Sequence, residues 1–214
     1  MLPDNYQFVL QSPIVPVMVI NRLADAVPMA QALVAGGITT LEITLRTDCA
    51  LEASEAIAAS VPEAIVGAGT VCSGQQFRDV LSAGARFVVS PGCSNELISV
   101  SQATDTPMLP GAVTASEVMA VRAAGFPVIK FFPAGTSGGA PAIKALGGPF
   151  YDLHFIPTGG VSPANLGDYL GLNNVIAVGG SWMIPAEACA QNDWARVEQL
   201  AREAIELANS VNAA

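Results

Sequence analysis

The stretch Val121-Arg122-Ala123-Ala124-Gly125-Phe126-Pro127-Val128-Ile129-Lys130-Phe131-Phe132-Pro133 decides how this chain is read. Its first part ends a helix on a glycine, the residue that most readily takes the left-handed conformation closing a helix. Its second part, Pro127–Phe132, is short, β-branched and aromatic, and proline stands at both ends. That is the composition of a fully buried strand. One lysine stands inside the run. An ammonium group among apolar side chains is penalised, because desolvation disfavours the charged form and lowers its pKa. A neutral amine is the form that makes Schiff bases with carbonyl compounds. A lysine whose stem lies along the strand and whose head reaches water fits the same local sequence, so the rest of the chain must decide.

The junction of helix, glycine and strand recurs at Leu33-Val34-Ala35-Gly36 and at Leu81-Ser82-Ala83-Gly84. After a short helix near Asp4–Gln11, strand-like runs follow at Ile14–Ile20, Ile38–Leu45, Ile65–Gly69 and Arg86–Ser90. They continue at Pro107–Leu109, Pro127–Phe132, Leu153–Thr158 and Val175–Val178. Between them lie amphipathic stretches such as Ala26–Ala35, Ala50–Ser60, Gln75–Ala83, Ala115–Ala123 and Pro163–Leu170, and Asp193–Asn209 closes the chain as a helix. Strands alternating with helices predict a parallel α/β fold. Eight units in about 200 residues fit a compact (β/α)8 TIM barrel. An open doubly wound sheet is the rival, and its dinucleotide-binding version lacks its GxGxxG turn here. No linker or charge block divides residues 1–214, which predicts a single domain.

Composition narrows the function. Of 214 residues, 51% are hydrophobic and 13% charged, which suits a large core and argues against disorder. No apolar run reaches the roughly 18 residues of a spanning helix. The start, Met1-Leu2-Pro3-Asp4-Asn5, has neither the basic beginning nor the apolar centre of a signal peptide. A cytoplasmic protein that does not engage membranes is expected. The net charge of −9 and the scattered basic residues argue against nucleic acid. Cys49, Cys72, Cys93 and Cys189 form no CxxC pair, and His154 is the single histidine. Neither a metal centre nor a Ser-His-Asp triad has its residues. No cofactor is expected.

Only Lys130 and Lys144 could make a Schiff base, since the other basic residues are arginines. Lys144 stands in the helical turn Ala142–Leu146, where it reads as a solvated surface lysine. In a barrel, catalytic groups belong at the C-terminal ends of strands. The second strand alternates there: Leu41, Ile43 and Leu45 share one face, and Thr40, Glu42, Thr44 and Arg46 the other. The polar face is poor surface for packing helices, so it should point inward. Glu42 then serves proton transfer and Arg46 an anionic substrate group, or the two form a buried pair that serves only the fold. In the sixth strand Val128, Lys130 and Phe132 share a face, so Lys130 can turn toward Glu42. Gly67, Ala68 and Gly69 leave room inside, and Thr70 places a hydroxyl at the rim. Ser90-Pro91-Gly92 and Pro110-Gly111 are rim turns that either wall a pocket or simply turn. Gly159-Gly160 and Gly179-Gly180-Ser181 follow the last two strands, where backbone N–H groups and a helix N-terminus can hold a phosphate. His154 begins the seventh strand, the wrong end for barrel catalysis, and reads as structural.

Five segments carry a resemblance: Leu41-Glu42-Ile43-Thr44-Leu45-Arg46-Thr47, Val66-Gly67-Ala68-Gly69-Thr70-Val71, Ile129-Lys130-Phe131-Phe132-Pro133-Ala134, Pro157-Thr158-Gly159-Gly160-Val161 and Gly179-Gly180-Ser181-Trp182. In this order they closely resemble the bacterial 2-keto-3-deoxy-6-phosphogluconate (KDPG) aldolase family, which includes 4-hydroxy-2-oxoglutarate aldolases. The resemblance implies a class I, metal-independent aldolase on a (β/α)8 barrel, usually a homotrimer. It would cleave KDPG to pyruvate and glyceraldehyde 3-phosphate, the last step of the Entner–Doudoroff pathway. By position, Lys130 looks like the Schiff-base lysine and Glu42 like the general acid/base. Arg46 and Thr70 match groups that hold the pyruvate carboxylate, and Phe132 and Pro91 match pocket walls. Thr158 matches a position tied to stereoselectivity, and Ser181 a phosphate contact beside Gly159, Gly160, Gly179 and Gly180. The chain departs from the common pattern at Gly135–Gly139, where a glutamate is usual, and at Cys72 and Cys93, where aliphatic residues are. The galactonate epimer of KDPG as substrate, and a sugar-phosphate-binding barrel without catalysis, are the alternatives.

Overall fold

The computed structural model describes residues 2–212, so Met1 and the last two residues of the expected single-domain span lie outside it. The first turn after the start is a 3-10 helix, Asp4–Leu10. Eight strands follow: β1 Ile14–Met18, β2 Thr40–Thr44, β3 Ile65–Gly69, β4 Phe87–Val89, β5 Met108–Leu109, β6 Val128–Phe131, β7 His154–Pro157 and β8 Val178–Gly180. They alternate with α1 Ala26–Ala35, α2 Ala50–Ser60, α3 Gly74–Ser82, α4 Asn95–Thr104, α5 Ala115–Ala123, α6 Gly139–Gly147, α7 Leu166–Leu170 and α8 Ala186–Gln191, and α9 Trp194–Asn212 ends the chain. No helix among the described residues is long and apolar enough to cross a membrane.

Every strand pair is parallel. Six strands form one curled sheet in the order β5-β4-β3-β2-β1-β8, and β6-β7 form a second. The ladder therefore does not run unbroken through all eight strands. Isolated bridges span the two gaps, Gly111 to Lys130 on one side and Phe155 to Val175 and Thr158 to Gly179 on the other. At the first gap the reason is local: β5 is two residues long and runs into Pro110, which has no N–H to donate. The last strand sits later than the pattern Val175–Val178 suggests. Val175 makes only an isolated bridge to Phe155, and the ladder with β1 begins at Val178.

The helix–glycine–strand junctions form with one shift. Gly84 and Gly125 take positive φ (88° and 91°), but at the first junction Gly37 does so (95°) and Gly36 does not. In all three, the N–H three residues past the helix reaches back five residues, as Ile38 to Leu33, Ala85 to Val80 and Phe126 to Val121. This is the bonding of a left-handed helix stop. Gly36 serves the packing instead. A Cβ there would lie 2.7 Å from the Glu198 carbonyl oxygen of α9, so its absence lets α1 and α9 approach closely.

The strand residues divide into two cores. Leu41, Ile43, Val66, Ala68, Val88, Ile129, Phe131 and Phe155 pack outward beneath the helices. Val15, Ile65, Phe87, Val89, Leu109, Val128, Ile156 and Ala177 pack together on the inner face with Tyr6 and Phe8. The 3-10 helix thus fills the inner core from its N-terminal end. The Tyr6 hydroxyl donates to the Met108 carbonyl at 3.0 Å, and the Phe8 ring stacks on Phe87 at 4.4 Å. Burial pushes the Tyr6 phenol up to about 12. Phe87 is wholly buried, and a side chain on Gly67 would strike its ring. Phe87→Ala should cost about 3–5 kcal/mol, seen as a lower urea midpoint with the slope unchanged.

Candidate active site

Strand β2 sets Thr40, Glu42 and Thr44 on the inner face, and all three are buried. The threonines are satisfied by backbone, the Thr40 hydroxyl donating to the Phe8 carbonyl (3.1 Å) and the Thr44 hydroxyl to the Met18 carbonyl (2.8 Å). Glu42 is left to face across the interior. It pairs in register with Val17 of β1 and Gly67 of β3. Space for its carboxylate comes from Gly69, where a Cβ would lie 2.7 Å from Glu42 Cγ.

Lys130 meets it from β6. The backbone of Lys130 is held on the β5 side, its N–H donating to the Pro110 carbonyl (2.9 Å) and its carbonyl accepting from Ala112 (3.1 Å). On the other side it stands in register with Ile156. Its Nζ donates to Glu42 Oε1 at 2.9 Å, and the two residues are 4% and 2% exposed. The ring of Phe132 lies 5.4 Å away, centroid to Nζ. The phases of the two strands turn Lys130 toward Glu42. In the folded chain its head is paired to a carboxylate from the opposite sheet, and removing either partner would leave a buried group without its mate.

A cleft of about 160 Å³ opens over this pair. Arg46, Lys130, Phe132, Thr158, Gly159, Gly160, Gly179, Gly180 and Ser181 line it together with Val17. Arg46 is exposed at the rim and its Nε donates to the Thr70 hydroxyl at 3.2 Å. Its terminal guanidinium nitrogens have no carboxylate among the described residues, so the planar fork is open to one from outside. Thr70 holds a φ of 61°, a left-handed conformation that costs a β-branched residue about 1–3 kcal/mol. That is where strain concentrates at functional sites. Pro91 is elsewhere: it walls a neighbouring hollow of about 260 Å³ with Cys72 and Cys93.

Across the cleft, Gly159 and Gly160 both take positive φ (91° and 81°). The Asn165 side chain fixes their turn, donating to the Gly160 carbonyl and accepting from the Ser162 N–H, each at 2.8 Å. The N–H groups of Gly160 and Val161 meet no acceptor among the described residues. They can bind an anion directly. The helix end expected there is displaced: α7 begins at Leu166 and α8 at Ala186, well past both glycine pairs, because Ser162–Asn165 and Ser181–Pro185 spend the intervening residues in turns. Backbone amides and the exposed Ser181, rather than a helix N-terminus, are what this side offers.

Sequence reasoning missed Asn165, although an Asn five residues after paired glycines is a recognisable staple. It also missed a larger hollow of about 530 Å³ that adjoins the cleft at Val17 and Ser181. Arg22 within that hollow is already engaged, bidentate to Asp25 and bonded to Asn192, each at 2.8 Å. Lys144 is exposed on α6, far in the fold from Glu42. His154 opens β7, and its buried Nδ1 has no partner among the described residues. Burial holds its pKa below the ordinary value. The unfolded chain therefore takes up the proton more readily, and this contribution to stability falls as pH drops through about 6.5. His154→Gln should lose less stability than the parent chain between about pH 7.5 and 5.5 in chemical unfolding.

Comparison with known proteins gives concordant results. The family described as KDPG and KHG aldolase matches residues 7–200. The KHG/KDPG aldolase of Escherichia coli K12 is 52% identical over 194 residues, 91% of each chain. The 2-dehydro-3-deoxy-phosphogluconate aldolase of Dickeya dadantii is 50% identical over 199 residues, 93% of each. The crystal structure of KDPG aldolase from Legionella pneumophila, with pyruvate captured as a covalent carbinolamine, superposes with a TM-score of 0.91 at 43% identity, covering 95% of this chain and 98% of that one.

Proposed function

Because the chain belongs to the KDPG and KHG aldolase family, we propose that it is a Schiff-base lyase. In this reading it cleaves 2-keto-3-deoxy-6-phosphogluconate to pyruvate and glyceraldehyde 3-phosphate, and also splits 4-hydroxy-2-oxoglutarate to pyruvate and glyoxylate. The observation that carries the reading is the buried Lys130–Glu42 contact of 2.9 Å at the floor of a cleft with an open arginine on one side and open backbone amides on the other.

Glu42 takes a proton from Lys130, and the free amine attacks the C2 ketone to give a carbinolamine. Glu42 returns that proton to the departing hydroxyl, and loss of water leaves an iminium, which draws electrons from the C3–C4 bond. As that bond breaks, Glu42, through a water, removes the proton from the C4 hydroxyl, and the aldehyde departs. The remaining enamine is protonated at C3 and hydrolysed from Lys130 as pyruvate. Arg46, backed by Thr70, holds the carboxylate. Phe132 walls the pyruvate pocket and Thr158 faces the C4 side, where stereochemistry is read. The phosphate rests on Gly159, Gly160, Gly179, Gly180 and Ser181. No step requires a cofactor or a metal.

The site takes residues from both sheets, which supports reading the isolated bridges as the closure of one (β/α)8 barrel and one domain. Pro91, outside the cleft, acts on the pocket only through the Cys72–Cys93 side. A phosphorylated sugar acid is a metabolite of the cell interior, which fits a cytoplasmic enzyme, and the family resemblance fits a homotrimer.

The test is pyruvate release from KDPG, its galactonate epimer and 4-hydroxy-2-oxoglutarate. The reading expects kcat/KM to be highest for KDPG, and failure to release pyruvate from any of the three would end it. Ser181→Ala should lower kcat/KM for the phosphorylated substrates about 10- to 100-fold, the worth of a hydrogen bond to a charged group. The unphosphorylated substrate should change by no more than about twofold.

A further inference from the structure

Cys72 and Cys93 occupy the same place in successive βα units. Each stands one residue before a serine that caps a helix. The Ser73 hydroxyl accepts from the Gln76 N–H (3.2 Å) at the start of α3, and the Ser94 hydroxyl from the Leu97 N–H (3.3 Å) at the start of α4. The units are direct neighbours. Ala68 of β3 is in register with Val88 of β4, the Val71 N–H reaches the Val89 carbonyl (3.3 Å), and Glu96 of α4 accepts from the Gly74 N–H of α3 (2.9 Å). Parallel strands lie about 4.8 Å apart, and a disulfide needs Cα atoms about 5.5–6 Å apart. Counted on from the Ala68–Val88 register, Cys72 falls level with Gly92, the residue before Cys93. Both thiols line one hollow of about 260 Å³.

We propose that Cys72 and Cys93 are a paired-thiol site, which a hydroperoxide oxidises to a disulfide that weakens carboxylate binding at Arg46. Cys72 is the exposed member and the first to react. Its thiolate attacks one peroxide oxygen, the O–O bond breaks, and the leaving oxygen takes a proton as water, or as an alcohol from an alkyl hydroperoxide. Cys93 is half-buried, and burial pushes its thiol pKa up, so it stays a thiol until Cys72 is a sulfenic acid. It then attacks the Cys72 sulfur, the S–O bond breaks, and the departing hydroxide carries off the Cys93 proton as water. Two thiols lose two electrons and the peroxide gains them.

The link reaches the cleft through two residues of backbone. Cys72 Sγ already donates to the Thr70 carbonyl at 3.4 Å, and Thr70, at φ 61°, supports the Arg46 guanidinium. Pulling Cys72 toward α4 acts on the residue with least conformational latitude. Cys49 and Cys189 are internal controls. Cys49 donates to the Ile20 carbonyl, and Cys189 lines the hollow beside Arg22.

The full chain, treated with hydrogen peroxide at neutral pH, alkylated and digested, should yield a linked Cys72–Cys93 peptide pair by mass spectrometry. KM for KDPG should rise about tenfold, and dithiothreitol should reverse both changes. C93S should instead carry a dimedone-reactive sulfenic acid on Cys72, and C72S and C93S should match the parent KM before treatment. Separate alkylation of both cysteines after peroxide overturns the thiol pair, and a complete link with unchanged KM overturns the coupling to Arg46. The KM effect rests on the aldolase reading, whereas the linked mass does not. If no substrate is turned over, the coupling falls and the peptide mass still decides the pair.

Discussion

Borohydride added in the presence of pyruvate should fix a pyruvyl group on Lys130 and on no other residue. Reduction of a Schiff base is irreversible, so the adduct marks the amine that formed it. With two lysines in the chain the outcome is unambiguous: an adduct on exposed Lys144, or none, defeats the scheme. Lys130→Ala should lower kcat by roughly 10⁴-fold or more, because the covalent route has no second nucleophile. The substitution also leaves the buried Glu42 carboxylate alone, which costs about 3–5 kcal/mol of stability. The variant must therefore be shown folded by circular dichroism at the assay temperature. The double variant Lys130→Met, Glu42→Gln removes the stranded charge and should recover stability without recovering turnover.

Glu42→Gln should give the second large effect. Glutamine keeps the size and can still accept from Lys130, but it cannot take up a proton. Loss of general acid–base catalysis costs about 10²- to 10⁴-fold in kcat. KM should move far less, since Arg46 and the glycine turns are untouched. A residue that only positions Lys130 would be replaced by glutamine with little loss of kcat, so a kcat near the parent value would argue against proton transfer through Glu42.

The alternation of the second strand was enough to turn Glu42 inward, and the phase of Pro127–Phe132 enough to turn Lys130 toward it. Both follow from the period of two that any strand obeys, and the two side chains do meet in the interior. Single-residue chemistry of this kind is legible because side-chain direction is local. Gly69 was legible only as room, since nothing in the sequence says which neighbour fills the space; the answer is the Glu42 carboxylate. The left-handed Thr70 was not legible, because a β-branched residue is the last that local preference would put there. Pro91 was legible only as a rim turn: a turn following a strand can fold toward the axis or away from it, and the packing of its carbonyl against Gly111 sets its course. The sheet's division escaped the alternation of strands and helices, which counts strands but does not say how many residues each spares for its neighbour.

The seam between the two sheets has a consequence during synthesis. Glu42 belongs to the sheet that β1 begins and β8 completes, and Lys130 to the pair that lies beyond β5. A ribosome-bound chain that has emitted the proton acceptor still lacks its amine. When the amine emerges, the strand that must flank β1 has yet to be made. The earliest strand waits for the latest, a pairing of high sequence separation that makes for slow closure. Until that moment the amine has no carboxylate beside it to take its proton.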